Sequence, residues 1–157
     1  MKCRDPARAA PSPDVRPAIG DLPLPLDWGR VRLYGSNCVQ GPGLMRRTVL
    51  RLSRGRAVAL GNRVFLPERS ERDLATLAHE ATHCAQYQAW GPVRYFARGA
   101  VEQLRHLFYR KLAIGSSPYQ YEVEPGKPFT SYGMEQQAQM VEDSFRSRQQ
   151  GHAMPSA

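Results

Sequence analysis

A chain of 157 residues suffices for one domain with a real core and is too short for two of ordinary size. Its hydrophobic fraction of 41% is slightly low for a globular domain, and no window holds the unbroken apolar run that a membrane-spanning helix needs. The formal net charge of +8 is almost all arginine, spread from Arg4 to Arg148 rather than gathered in one stripe, which argues against a nucleic-acid binder.

Residues 1–25 hold six prolines (Pro6, Pro11, Pro13, Pro17, Pro23 and Pro25) and few large apolar groups, and so read as a disordered, proline-rich arm. Met1 to Pro6 lack the apolar segment of a secretory signal, so the expectation is synthesis in the cytoplasm, with any export left to another machine. The folded domain is expected over 26–150, with 151–157 as a flexible tail. Val31-Arg32-Leu33-Tyr34 alternates as a first strand and ends at Gly35-Ser36-Asn37. From Leu44 to Leu52 the helix and strand periods compete. Here Arg46, Arg47, Arg51, Arg54 and Arg56 interleave with Val49, Leu50 and Leu52, as on a solvated face that leaves attraction to acidic partners open. Ala57-Val58-Ala59-Leu60 and Val64-Phe65-Leu66, parted by Gly61-Asn62-Arg63, read as a hairpin or two short strands. The second run stops at Pro67, where a free strand edge would suit an extended peptide.

Ser70-Glu71-Arg72-Asp73 reads as a helix start with Ser70 as the cap. Leu74, Leu77, Ala81, Cys84 and Gln88 follow at helical spacing, and Gly91-Pro92 ends the run. Inside it lies His79-Glu80-Ala81-Thr82-His83, the pattern H-E-x-x-H. Four-residue spacing places both imidazoles on one helix face, away from the apolar row, where they can share one metal ion. Two imidazoles without cysteines suit an open zinc site, and Glu80 borders it where a general base belongs. The three cysteines, Cys3, Cys38 and Cys84, match no metal or redox spacing and are expected as free thiols, with Cys84 packed in the core. A second helix is expected from Val93 to Leu112 with Val101, Leu104, Phe108 and Leu112 inward, then a loop over 115–127. A third, from 133 to 150, should bury Met134, Ala138, Val141 and Phe145. Strands first and helices after give an α+β fold: a small N-terminal sheet packed on the H-E-x-x-H helix and two further helices.

A third ligand must come from elsewhere. A His six residues after the second is excluded, because Gln86 stands where a Gly would and no His follows before His106. Among Glu102, Glu122, Glu124, Glu135, Glu142 and Asp143, Glu135 is preferred: it opens the third helix off its apolar row, with Ala138 leaving room for close approach. Gln139 and Asp143 share its face and are expected to orient a His ring. Tyr132, Tyr119, Tyr121, His106 and His152 all remain open as partners for a developing oxyanion.

His79-Glu80-Ala81-Thr82-His83 with Glu135-Gln136-Gln137-Ala138 resembles the Glu-zincin arrangement. Gly61 to Leu66, Tyr132-Gly133 before Glu135, and Trp28 to Tyr34 extend the likeness over roughly residues 26–146. In this it is similar to small bacterial zincin-like domains associated with contractile injection (type VI, Vgr-related) systems. The resemblance implies a zincin-like fold and a zinc metallopeptidase acting on a peptide or protein, with Zn²⁺ on His79, His83 and Glu135 and Glu80 as base. It further implies a secretion-system link. Gln139 stands where such peptidases often carry Asp. The alternative expectation is a metal-stabilised adaptor or structural part of a secretion particle, without catalysis.

Overall fold

Three short strands and three helices make up the α+β fold seen in a computed structural model that describes residues 18–36, 42–112 and 119–151. Strands β1 (Arg32–Tyr34), β2 (Val58–Leu60) and β3 (Arg63–Phe65) form one sheet of order β1-β3-β2. β1 runs parallel to β3, with Leu33 opposite Val64, and β2 runs antiparallel to it, with Ala59 opposite Val64. Of the hairpin and the two separate strands left open by the sequence, the hairpin is the one present. Its Gly61 has φ of 65°, and a Cβ there would stand 3.1 Å from the Tyr87 ring, so only glycine fits without displacement.

The run before Pro67 is not a free edge. β3 is the central strand, and β2 is the edge nearer the histidines.

The stretch whose period was undecided is helix α1 (Pro42–Leu52). Arg46 reaches from it to the Leu66 carbonyl at 2.9 and 2.7 Å and lies 3.9 Å from the Glu71 carboxylate. Glu71 in turn accepts from the Ser36 N–H and hydroxyl. Ser70, the expected cap, instead ends a 3-10 turn (Glu68–Ser70). Asp73, not Ser70, opens α2 (Leu74–Leu112): its Oδ1 accepts from the N–H groups of Ala75 and Thr76 at 3.1 and 3.3 Å, and Thr76 Oγ1 donates to Oδ2 at 2.7 Å.

α2 breaks sharply at Gly91 (φ 76°, ψ 166°) followed by Pro92, so the two expected helices are the halves of one kinked element. The first half is covered on nearly every side. Leu77, Ala81 and Cys84 meet the sheet and core as expected, and the small side chains of Ala75, Ala78 and Ala85 allow close approach of the neighbouring elements. Cys84 is a free, buried thiol. The second half reverses the expectation: Val101, Leu104 and Phe108 are exposed, and Tyr95 is the side chain turned inward. Periodicity marks an apolar row without saying which side meets the domain. α3 (Met134–Gly151) buries Met134, Ala138, Val141 and Phe145 as expected.

The arm ends earlier than its prolines suggest. Ile19 and Leu24 are buried, and Ile19 belongs to the same core cluster as Val31, Val64, Leu77 and Phe145. One apolar turn between Pro17 and Pro23 is enough to anchor the chain. Residues 1–17, Cys38, residues 113–118 and the tail from 152, with its His152, lie outside the described residues. Among the described residues, no helix is long and apolar enough to cross a membrane.

Ile19→Ala is expected to cost about 2–4 kcal/mol, since it empties a buried site that only partly collapses. Chemical denaturation checks it, and an unchanged midpoint would place Ile19 outside the core.

Candidate metal centre

His79 and His83 project from the first half of α2 with ring centroids 5.0 Å apart, and Glu135 comes from the first turn of α3. Glu135 Oε2 lies 3.8 Å from His79 Nε2 and 3.5 Å from His83 Nε2. The three ligand atoms fall within 4.8 Å of one another, so the group can hold a metal ion. Bonds of zinc length in a tetrahedron would set such atoms roughly 3.3 Å apart, somewhat closer than these lie. Glu135, the expected third ligand, belongs to that group.

Each ring is held from behind. His79 Nδ1 lies 3.0 Å from Glu142 Oε2, and Glu142 is clasped by Arg146 at 2.7 Å, whose guanidinium also lies 3.4 Å from the capping Asp73. His83 Nδ1 lies 2.9 Å from Gln86 Oε1. The Gln86 amide nitrogen donates to the Met134 carbonyl and to Gln137 Oε1, both at 3.0 Å, and Gln137 donates to the Tyr132 carbonyl at 2.9 Å. Because the Gln86 nitrogen faces two acceptors, its oxygen faces the ring. His83 then carries its proton on Nδ1 and offers the Nε2 lone pair to a metal.

These supports are not the expected ones. Gln139 donates to Asp143 at 2.9 Å, and Asp143 accepts from the Tyr121 hydroxyl at 2.7 Å, so that pair is engaged with itself and with Tyr121. The signals that could have found the true supports are the seven-residue step from Glu135 to Glu142 and the three-residue step from His83 to Gln86. Glu102, passed over as a ligand, instead accepts from the Met134 N–H beside Gly133, where a Cβ would meet its carboxylate at 3.0 Å.

Replacing the supports should weaken metal binding without abolishing it. Gln86→Leu and Glu142→Gln are each expected to cost about 10- to 100-fold in affinity. Competition with a chelating dye measures this, and unchanged affinity in both would remove them from the site.

The charges interlock. Burial works to raise the Glu135 pKa, but the His83 charge and hydrogen bond, then His79 and Arg56, bring it below the ordinary glutamate value. Burial likewise works to lower that of His83, and Glu135, followed by Glu80 and Gln86, overrides it and raises it to about 9. Without metal, a proton on His83 thus balances the carboxylates. Metal uptake below that pH must expel the proton, so affinity should fall by about tenfold per unit as pH drops. Calorimetry in buffers of different ionisation enthalpy reads the released proton, and its absence would contradict the arrangement.

Glu80 is buried one residue after the first ligand. Burial raises its pKa against the pull of His83 and His79; one oxygen meets the Ala59 N–H, and Oε2 has no hydrogen-bond partner. It lines a cleft of about 490 Å³ together with both His, Glu135, β2, Tyr119 and Arg56. The Ala59 carbonyl accepts from the buried Tyr95 hydroxyl at 3.1 Å, so a peptide pairing with β2 must compete for both main-chain groups of Ala59.

Of the oxyanion candidates, Tyr119 alone among the described residues lines the cleft, hydrogen-bonded to Arg56 and kept protonated chiefly by burial. Tyr121 is held by Asp143, and the Tyr132 hydroxyl accepts from the Glu124 N–H at 3.0 Å. The His106 ring stands edge-on to Tyr119 at 5.7 Å, behind it.

No family model matches the chain, and no curated protein or solved structure matches it either. Fold and site together define an α+β domain with a partly buried His₂Glu group able to hold a metal ion.

Proposed function

We propose that the protein is a zinc-dependent peptidase of zincin-like fold, with Zn²⁺ held by His79, His83 and Glu135. The observation that carries this reading is Glu80: a buried carboxylate with a free oxygen, beside the ligand group, on an open cleft. A structural site has no need of such a group. Bound zinc would supply a Lewis acid that polarises a peptide carbonyl and acidifies water. Glu80 then takes a proton from the attacking water and passes it to the leaving amine, a task suited to a carboxyl whose pKa burial has raised. Tyr119, steadied by Arg56, offers a donor to negative charge on the carbonyl oxygen. β2 flanks the substrate, and Glu142 and Gln86 fix the ring orientations throughout.

The adaptor reading has one observation in its favour, the engagement of both Ala59 main-chain groups by Glu80 and Tyr95. Delivery or processing of proteins by a contractile injection system rests on the sequence resemblance. The zinc-loaded chain, incubated with a quenched-fluorescence peptide library, separates the two readings. Cleavage lost to a chelator and restored by zinc supports the peptidase. No cleavage by protein carrying a full complement of zinc supports the adaptor.

A further inference from the structure

Beyond the kink, α2 turns an apolar row away from the domain. Val93, Val101, Leu104 and Phe108 are 84%, 51%, 54% and 51% exposed, with exposed Ala97 between the first two. At 100° per residue these five fall within an arc of roughly 80°. The opposite side is the one that packs: Tyr95 bonds the Ala59 carbonyl and Glu102 bonds the start of α3. A row of this kind on a water-soluble surface marks a contact site.

Its spacing says what kind. Ala97, Val101, Leu104 and Phe108 follow the alternating four- and three-residue steps of a heptad seam, with the half-exposed Phe96 to one side of it. Arg98 and Arg105 occupy the position that flanks the seam one residue after each of Ala97 and Leu104. The Arg98 guanidinium lies 4.4 Å over the Trp90 ring, which holds it in place. Two copies pairing antiparallel would set these arginines against their own counterparts, so that mode of self-association is opposed by charge.

We propose that the second half of α2 docks an acidic amphipathic helix of a partner protein, apolar along its seam and carrying Glu or Asp beside it. The seam supplies the contact area from Val93 to Phe108, and Arg98 and Arg105 select the partner's charge. The site is separate from the metal cleft and does not depend on catalysis.

The test uses the full chain and two synthetic heptad-repeat peptides with leucine seams, one flanked by Glu and one by Lys. The Glu peptide is expected to bind at least about tenfold more tightly, with affinity falling as salt rises. Leu104→Asp should abolish binding while leaving the melting temperature unchanged, because that side chain is exposed. The double variant Arg98→Glu, Arg105→Glu should prefer the Lys peptide, a reversal that mere stickiness would not produce. Equal binding of both peptides, or of neither, overturns the proposal. So does association with anionic vesicles in the absence of peptide binding, or a dimer that Leu104→Asp dissolves.

Discussion

Glu80→Gln is expected to retain fold and metal while losing hydrolysis by on the order of 10²- to 10⁴-fold, the range over which a positioned general base contributes. The amide keeps the size of the side chain and can still accept from the Ala59 N–H, but it cannot take up a proton. Its burial makes the comparison clean, since Glu80 is neither a ligand nor part of the Gln86 and Glu142 supports. Turnover of a library-derived substrate by zinc-matched protein is the measurement. A variant that cuts as fast as wild type would remove Glu80 from the mechanism, and one that loses its metal would make it a structural carboxylate.

His83→Ala should act on binding and stability together. It deletes one of the three groups able to hold a metal, leaves Gln86 Oε1 without its ring partner, and strips Glu135 of the nearest positive charge. A ligand at 1,000 times its dissociation constant stabilises the folded state by about 4 kcal/mol, and that increment should vanish. Wild type is therefore expected to melt lower after chelation, while His83→Ala melts at one temperature with or without chelator. His79→Ala should behave alike, with Glu142 then left to Arg146. Identical melting of wild type with and without chelator would show that the site does not stabilise the fold.

The pairing of His79 with His83 was legible because four-residue spacing on a helix is a local property, fixed before any tertiary contact forms. The strands and the hairpin were legible for the same reason: alternation and a glycine-centred turn need no distant partner. Glu135 followed from its place at a helix start beside Ala138. What escaped depends on contacts remote in sequence. Ser70 closes a 3-10 turn, and Asp73 rather than Ser70 caps the helix, while Ser36 and Arg46 engage Glu71. Ile19 joins Phe145, from the other end of the chain, in one core cluster. Arg56 and Tyr119 meet only because β2 and the segment before α3 border one cleft. The outward turn of Val101, Leu104 and Phe108 is of this kind as well, since a helix period carries no information about which face its neighbours will cover.

In the proposed site His79, His83 and Glu135 hold one zinc ion. Elemental analysis of purified protein, beside the Glu135→Ala variant prepared in the same way, tests it most directly. About one zinc per chain is expected in wild type and far less in the variant, because two imidazoles alone make a weak, open site. Equal metal in the two proteins, or none in either after exposure to excess zinc, would contradict it.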